Sequence, residues 1–232
     1  VTGVQTCALP ISLPFMQFQA ICFDLDGTLL DSLADLAHCT NTILSKRGFP
    51  EHPVDAFRYF VGDGAKMLIT RALPEEVRKE PLIEKCRQDF ETAYRECWDE
   101  HTQPYDDIPL LLDELESRKL KLTVLSNKPH EFTLLAVKHL LPNWEFELVL
   151  GQREGIPRKP DPAGMIDICE QLKIPAKSFL YLGDTATDMK TATSAGCFPV
   201  GVLWGFRPEK ELRENGAQAI INGPLELLDL LD

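Results

Sequence analysis

The chain lacks the sequence signatures of several common nucleotide-binding and hydrolytic sites. No Gly-Lys pair occurs, which excludes the phosphate-binding loop of P-loop NTPases. Neither Gly-x-Ser-x-Gly nor His-Glu-x-x-His is present, which excludes a serine-hydrolase elbow and a zinc-protease helix. Gly62-Asp63-Gly64 lacks the third glycine of a dinucleotide-binding loop. Any catalytic chemistry must therefore rest on other residues.

Positive charge and long apolar runs are also scarce. The 24 Lys and Arg residues stand against 36 Asp and Glu, and the resulting net charge of −12 argues against a nucleic acid or an anionic membrane as partner. No apolar run approaches the roughly 18 residues that span a bilayer. The 232 residues suffice for one domain with a substantial insertion.

Cysteine pairs with metal-site or redox spacing are missing as well. The seven cysteines form no Cys-x-x-Cys pair, and they are scattered along the chain and odd in number. We therefore expect reduced thiols and a cytoplasmic location. The cysteines are Cys7, Cys22, Cys39, Cys86, Cys97, Cys169 and Cys197.

The most informative segment that is present runs from Ala20 to Ser32. Ala20-Ile21-Cys22-Phe23 predicts a buried strand, and Asp24, Asp26 and Gly27 follow it directly. Alternation along a strand places Asp24 and Asp26 on the same side. Two close carboxylates favour a divalent cation, because hard cations take oxygen ligands. A solvated turn after the strand explains the same residues.

Three further motifs follow in order, each after or beside a predicted strand. Leu122–Asn127 ends an apolar run in Ser126 and Asn127, which offer a hydroxyl and backbone N–H groups to an anion. Lys159 lies in Lys159-Pro160-Asp161-Pro162, where the rigid turn fixes a positive charge. Phe179–Asp188 ends a strand in Gly183-Asp184 and adds Asp188 in the first turn of a helix. Taken singly, a plain strand end, an exposed lysine and helix capping also explain these three motifs.

The four motifs together resemble the haloacid dehalogenase-like phosphohydrolases, over nearly the whole chain from Gln19 onward. Additional residues resemble the phosphoglycolate phosphatase branch, with departures at Thr185, Asp106 and Asp107. The motif residues are Asp24-Leu25-Asp26-Gly27-Thr28, Ser126-Asn127-Lys128, Lys159-Pro160-Asp161 and Gly183-Asp184-Thr185-Ala186-Thr187-Asp188. The branch residues are Val61-Gly62-Asp63-Gly64-Ala65, Arg71-Ala72-Leu73, Pro104-Tyr105 and Asn127-Lys128-Pro129.

The resemblance implies a Mg²⁺-dependent phosphomonoester hydrolase that forms an aspartyl-phosphate. It implies that Asp24 is the nucleophile, that Asp26 is the general acid and base, and that Ser126 and Lys159 bind the transferring oxygens. The implied metal ligands are Asp24, Asp184, the Asp26 backbone carbonyl and, through water, Asp188. The expected phosphate and substrate ligands are Gly27, Thr28, Asn127, Gly62 and Gly64.

The expected substrate is a small phosphorylated metabolite such as 2-phosphoglycolate, and the expected oligomeric state is a monomer or homodimer. The turn between Gly62 and Gly64 could present backbone N–H groups to a substrate carboxylate, although a plain helix-breaking turn explains it too. An inorganic pyrophosphatase and a β-phosphoglucomutase-like phosphotransferase are the alternatives on the same scaffold. A catalytically silent binding module would be expected to lose one of the four charged motif residues, and all are present.

The predicted fold class is α/β, a Rossmann-like parallel sheet core with a helical cap inserted after the first strand. Strands alternating with helices indicate such a sheet. The core is expected over 16–32 and 104–232 and the cap over 33–103. Residues 1–15 have no helical or strand period and are expected to be a non-native segment. The expected strands are Ala20–Phe23, Leu122–Ser126, Phe146–Leu150, Ser178–Leu182, Pro199–Leu203 and Ala219–Ile221.

Overall fold

The central feature of the computed structural model, which describes residues 18–232, is a six-stranded parallel sheet. Its strand order is β5-β4-β1-β6-β7-β8, and a separate antiparallel pair joins β2 to β3. The strands are β1 (Ala20–Phe23), β2 (Leu30–Asp31), β3 (Gln103–Pro104), β4 (Lys121–Pro129), β5 (Leu148–Gln152), β6 (Phe179–Gly183), β7 (Phe198–Val202) and β8 (Ala219–Ile221). This architecture confirms the predicted fold class.

Helices cover both faces of this sheet and fill the helical segment, residues 32–102, between β2 and β3. They are α1 (Leu33–Lys46), α2 (Ala65–Ala72), α3 (Glu80–Cys97), α4 (Ile108–Ser117), α5 (His130–Leu140), α6 (Ala163–Leu172), α7 (Ala186–Ala195) and α8 (Glu209–Glu214). Short 3₁₀ helices occupy Val54–Tyr59, Glu75–Val77, Ala176–Ser178 and Pro224–Leu230. None of the helices within residues 18–232 is both long and apolar enough to cross a bilayer.

The residues of β1 show why this strand lies at the centre of the sheet. All four are apolar and buried, as expected for a parallel strand covered on both faces. Ile21 and Phe23 pack into the larger core cluster, whereas Ala20 and Cys22 pack into a second cluster on the opposite face. β4 and β6 pair with β1 on its two sides, so the loops after all three strands meet at one edge.

The six predicted strands are confirmed, with end points shifted by up to three residues. β2 and β3 were not predicted, because two residues are too few to show a strand period. Leu30 and Asp31 pair with Pro104 and Gln103, at the two points where the chain passes between the sheet and the helical segment. Cap boundaries at 33 and 103 stay a prediction. The proposed non-native segment 1–15 lies outside the described residues.

The helical segment corrects the expectation about cysteines. Cys39 of α1 and Cys97 of α3 form a disulfide across 58 residues, so the prediction that all cysteines are reduced is wrong for this pair. The spacing of the two cysteines along the chain does not indicate their pairing, because only the packing of α1 against α3 brings them together. Four described cysteines, Cys22, Cys86, Cys169 and Cys197, are free thiols. Cys7 lies outside the described residues, and the cytoplasmic location stays a prediction.

Candidate active site

Lys159 lies at the centre of a buried charge cluster at the carboxyl end of β1, β4 and β6. Its Nζ is 2.8 Å from Asp24 Oδ1 and 2.7 Å from Asp188 Oδ1, and it donates to the Leu125 carbonyl at 2.9 Å. The Lys159 side chain is only 2% exposed. Burial lowers the pKa of Lys159, but the carboxylates of Asp188 and Asp24 outweigh it and raise that pKa overall. These contacts therefore favour the charged form of the lysine.

Asp184 and Asp188 are fixed by the turn between β6 and α7. Asp188 closes a capping box at the start of α7, in which the Thr185 backbone N–H and hydroxyl donate to Asp188 Oδ2 at 3.1 and 2.6 Å. The Phe206 backbone N–H donates to Asp184 Oδ2 at 2.8 Å. Both carboxylates are fully buried. The helix start thus orients two acids toward the end of β1.

Three carboxylates share this pocket with one lysine. Oxygens of Asp24, Asp184 and Asp188 all lie within 4.8 Å of one another. Burial, and then the charge of Asp188, raise the pKa of Asp24 to about 7, against the lowering effect of Lys159. Burial, and then the charges of Asp188 and Asp24, raise the pKa of Asp184. An all-oxygen set with excess negative charge has the chemistry that suits Mg²⁺.

Asp26 lies beside this cluster, but its contacts lead toward the helical segment. Ser32 Oγ donates to Asp26 Oδ1 at 2.7 Å, and Lys128 Nζ lies 3.0 and 3.1 Å from the two carboxylate oxygens. Lys128 Nζ also donates to the Tyr94 hydroxyl of α3 at 2.8 Å. Lys128 belongs to the Ser126-Asn127-Lys128 motif but has no expected role there, and Tyr94 belongs to none of the sequence motifs. Lys128 and Tyr94 are 34 residues apart, so no local sequence pattern indicates their contact.

Asn127 connects three segments around the site. Its side-chain Nδ2 donates to the carbonyls of Gly62 and Lys159, at 3.0 and 3.1 Å. Ser126, one residue earlier, accepts the Lys128 backbone N–H on its hydroxyl at 3.2 Å. The structure therefore brings Ser126 and Asn127 to the same edge as Asp24 and Lys159, as expected from the parallel strands.

The turn between Gly62 and Gly64 lies against the sheet core. Both glycines have left-handed backbone conformations, with φ of 118° and 83°. Asp63 between them pairs with Arg71 and accepts the Thr187 hydroxyl at 3.0 Å, while Arg158 donates to its backbone carbonyl at 2.9 Å. The turn is thus held at the site by residues from the strand-end loops.

Gly27 and Thr28 contact Asp184 and do not line the cavity described next. The Thr28 hydroxyl is 3.5 Å from Asp184 Oδ1, and Thr28 is fully buried. A Cβ on Gly27 would lie 2.4 Å from Asp184 Oδ2. These two residues are in position to orient Asp184, and their direct contact with phosphate stays a prediction.

A cavity opens next to Asp24 and Asp26, with about 560 Å³ of empty space including its open mouth. Its floor comes from strand-end residues and its walls from the helical segment and α5. The walls are largely apolar, with aromatic rings at Phe90, Tyr94 and Phe132. Gly62 and Gly64 also line it. A phosphate near Asp24 would therefore leave the rest of its substrate among these walls.

Gly27→Ala is expected to damage the site much more than an equally strained alanine elsewhere. Gly27 has φ of 89° and Gly155 has φ of 78°, but no described atom lies within 4 Å of a Cβ at Gly155. Each alanine would be strained by about 1–2 kcal/mol in this left-handed conformation. Only the alanine at position 27 must also displace Asp184. We expect Gly27→Ala to lose activity and Gly155→Ala to lose only thermal stability. Equal activity of the two variants would contradict the orienting role of Gly27.

The chain is similar to named phosphatases and to a family of hydrolases. Residues 21–202 match the family model of haloacid dehalogenase-like hydrolases. A phosphoglycolate phosphatase from Chromobacterium violaceum is 32% identical over 216 residues, which cover 92% of this chain and 96% of that protein. An N-acetylmuramic acid 6-phosphate phosphatase from Pseudomonas aeruginosa is 33% identical over 219 residues, covering 94% and 96%.

The structural comparison agrees with the sequence comparison. The crystal structure of a candidate phosphoglycolate phosphatase from Lactobacillus delbrueckii subsp. bulgaricus superposes with a TM-score of 0.87 at 28% identity, covering 93% of this chain and 98% of that one. The two phosphatases above have different substrates in their names although their identities to this chain are nearly equal. Overall identity therefore does not distinguish the substrates.

Proposed function

Because the chain belongs to the haloacid dehalogenase-like hydrolases and is a phosphatase, we propose that it hydrolyses a small phosphomonoester through an aspartyl-phosphate on Asp24. The observation that carries this proposal is the buried cluster in which Lys159 bridges Asp24 and Asp188 beside Asp184. One lysine cannot neutralise three buried carboxylates, and such an uncompensated cluster of charges is typical of a functional site.

In the first half of the reaction, Asp24 attacks phosphorus. A bond forms between a carboxylate oxygen of Asp24 and phosphorus, and the bond from phosphorus to the alcohol oxygen breaks. Asp26 gives its proton to the departing alkoxide. In the second half, the Asp26 carboxylate takes a proton from water, whose oxygen attacks phosphorus and releases inorganic phosphate and the Asp24 carboxylate.

Lys159 and Ser126 bind the transferring phosphoryl oxygens in this proposal. Lys159 also offsets the repulsion between the Asp24 carboxylate and the incoming phosphate, because its Nζ is 2.8 Å from Asp24 Oδ1. Burial of the lysine strengthens this electrostatic effect, since little water screens it.

The carboxylates of Asp24, Asp184 and Asp188, together with the Asp26 backbone carbonyl, would hold Mg²⁺. Their oxygen chemistry and buried excess of negative charge fit a hard divalent cation. Bound there, Mg²⁺ would neutralise the charge that collects on the phosphoryl oxygens. The remaining groups of the site keep their own roles in binding and in proton transfer.

Two alternatives on the same scaffold are an inorganic pyrophosphatase and a β-phosphoglucomutase-like phosphotransferase. A phosphate-release assay on pyrophosphate, on phosphomonoesters and on a β-sugar phosphate distinguishes them. We expect release from phosphomonoesters at the highest rate. Isomerisation of the sugar phosphate with little release would favour the transferase.

The proposed substrate class includes 2-phosphoglycolate and N-acetylmuramic acid 6-phosphate, which the names of the relatives suggest. The Gly62–Gly64 turn could bind the carboxylate of 2-phosphoglycolate, because it lines the cavity beside the site. Substituting Gly64 does not test this, since a Cβ there would approach the Asn127 carbonyl and Arg158 at 3.2 Å. The test must therefore change the substrate.

Ethyl phosphate is a suitable comparison, because it is close to 2-phosphoglycolate in size but has no carboxylate. If the turn binds the carboxylate, kcat/KM for 2-phosphoglycolate should exceed that for ethyl phosphate by about tenfold or more, corresponding to roughly 1.4 kcal/mol of binding. Equal values would show that the carboxylate contributes nothing to recognition and would contradict this role of the turn. A higher kcat/KM for N-acetylmuramic acid 6-phosphate than for either would favour the larger substrate.

A further inference from the structure

Lys128 is a buried cation that the mechanism above does not use. It lies one residue before the end of β4, its side chain is 5% exposed, and its Nζ contacts both carboxylate oxygens of Asp26. A buried ammonium is costly unless it is paired and hydrogen-bonded. Burial lowers the pKa of Lys128, but Asp26 and Tyr94 outweigh it and raise that pKa overall. The lysine is thus a charged link with a defined geometry.

The third contact of Lys128 comes from the helical segment. The Tyr94 hydroxyl accepts from Lys128 Nζ at 2.8 Å, and Nζ also lies 4.7 Å from the centroid of the Tyr94 ring. The ring stacks on Phe90 and meets Phe132 edge to face, each at 5.3 Å between centroids. These contacts fix the hydroxyl of a tyrosine that belongs to α3.

Asp26 is therefore held from two directions. Ser32, directly before α1, donates to Oδ1, and Lys128 spans both oxygens. Ser32 is close to Asp26 in the chain, whereas Tyr94 is far from it and reaches it only through Lys128. The orientation of the Asp26 carboxylate consequently depends on α3 lying against the end of β4.

We propose that Tyr94 and Lys128 are positioning residues, which hold the Asp26 carboxylate for proton transfer only while α3 of the helical segment packs against the sheet. The inference rests on the proposed function, because it gives Asp26 the role of general acid. It adds a physical connection between the segment that covers the site and the group that protonates the leaving alcohol.

Leaving-group dependence tests this connection. An alkoxide needs a proton as it departs, whereas 4-nitrophenolate leaves without one. The probes are 4-nitrophenyl phosphate and the faster of 2-phosphoglycolate and N-acetylmuramic acid 6-phosphate. The quantity to compare is kcat/KM, because it covers only the steps up to departure of the alcohol and excludes hydrolysis of the phosphoenzyme.

Tyr94→Phe removes the hydroxyl and keeps the ring in place. General acid catalysis contributes about 10²–10⁴-fold, so we expect kcat/KM for the alkyl phosphate to fall about tenfold and that for 4-nitrophenyl phosphate less than about twofold. Tyr181→Phe is the matched control, because its buried hydroxyl has no hydrogen-bond partner within the described part of the chain. It should change neither value.

A double-mutant cycle separates positioning from general destabilisation. Lys128→Met should lower kcat/KM for the alkyl phosphate at least as much as Tyr94→Phe, with thermal midpoints measured for every variant. Adding Tyr94→Phe to Lys128→Met should not lower kcat/KM any further, because Tyr94 acts on Asp26 only through Lys128. Equal losses on both substrates, additive losses, or no loss on either would overturn the inference. Those outcomes leave the role of Asp24 unaffected, since it is tested by its own variant.

Discussion

Asp24→Asn is expected to lower turnover by about 10⁴-fold or more, the order of loss when a nucleophile is removed. The amide is nearly isosteric with the carboxylate but cannot attack phosphorus. Asp24 is buried at the end of β1, and its Oδ1 is held 2.8 Å from Lys159 Nζ. Acid-quenched wild-type enzyme should carry phosphate on the peptide that contains Asp24, and the variant should carry none.

The control for this variant is Asp31→Asn, the same chemical change at an exposed position of β2. It should keep nearly all activity. Asp24→Asn itself should not lower the thermal midpoint, because it removes one of three crowded carboxylates. Turnover within about tenfold of wild type, or a phosphorylated peptide lacking Asp24, would show that Asp24 is not the nucleophile.

Removing divalent cations is expected to abolish activity, and Mg²⁺ should restore it. The carboxylates of Asp24, Asp184 and Asp188 are the ligands that motivate this prediction. Ca²⁺ should inhibit, because it prefers longer bonds and more ligands, which misplaces Asp24 relative to phosphorus. Full activity after exhaustive chelation would rule out the carboxylate metal site.

Thermal stability provides a second measurement that does not depend on turnover. Mg²⁺ at 100 times its dissociation constant contributes about 2.7 kcal/mol to stability, which corresponds to a rise of roughly 5–10 °C for a chain of this size. Asp184→Asn should reduce this rise, whereas Asp31→Asn should leave it unchanged. An identical rise in wild type and Asp184→Asn would place the bound cation elsewhere.

The rise in thermal midpoint on adding Mg²⁺ should also depend on pH. The pKa of Asp24 is raised from its ordinary 3.8 to about 7, so between these values the folded metal-free protein holds more protons than the unfolded chain. Its stability therefore falls as pH increases through that window. Mg²⁺ binds the ionised carboxylates and opposes this loss, so its stabilising effect should be larger at pH 8 than at pH 5. A larger effect at pH 5 would contradict the raised pKa of Asp24.

The sequence predicted much of the sheet because each strand carries its own local signal. β1 and β6 are continuous apolar runs, and Asp24 and Asp184 follow them within one or two residues. Parallel topology then requires the ends of neighbouring strands to meet at one edge. The α/β fold could therefore be inferred from the order of strands and helices, and the family resemblance from the motif residues at the strand ends. Both are confirmed.

The sequence by itself determined which charged residues follow the central strands. A strand buried on both faces must be apolar, so the first charged residue after an apolar run indicates where the strand ends. The sequence could not determine that Cys39 joins Cys97, or that Lys128 links Asp26 to Tyr94. Those contacts join residues 34 to 102 positions apart. Only the packing of α1, α3 and the end of β4 brings them together, since side-chain contacts act through space and leave no local period in the chain.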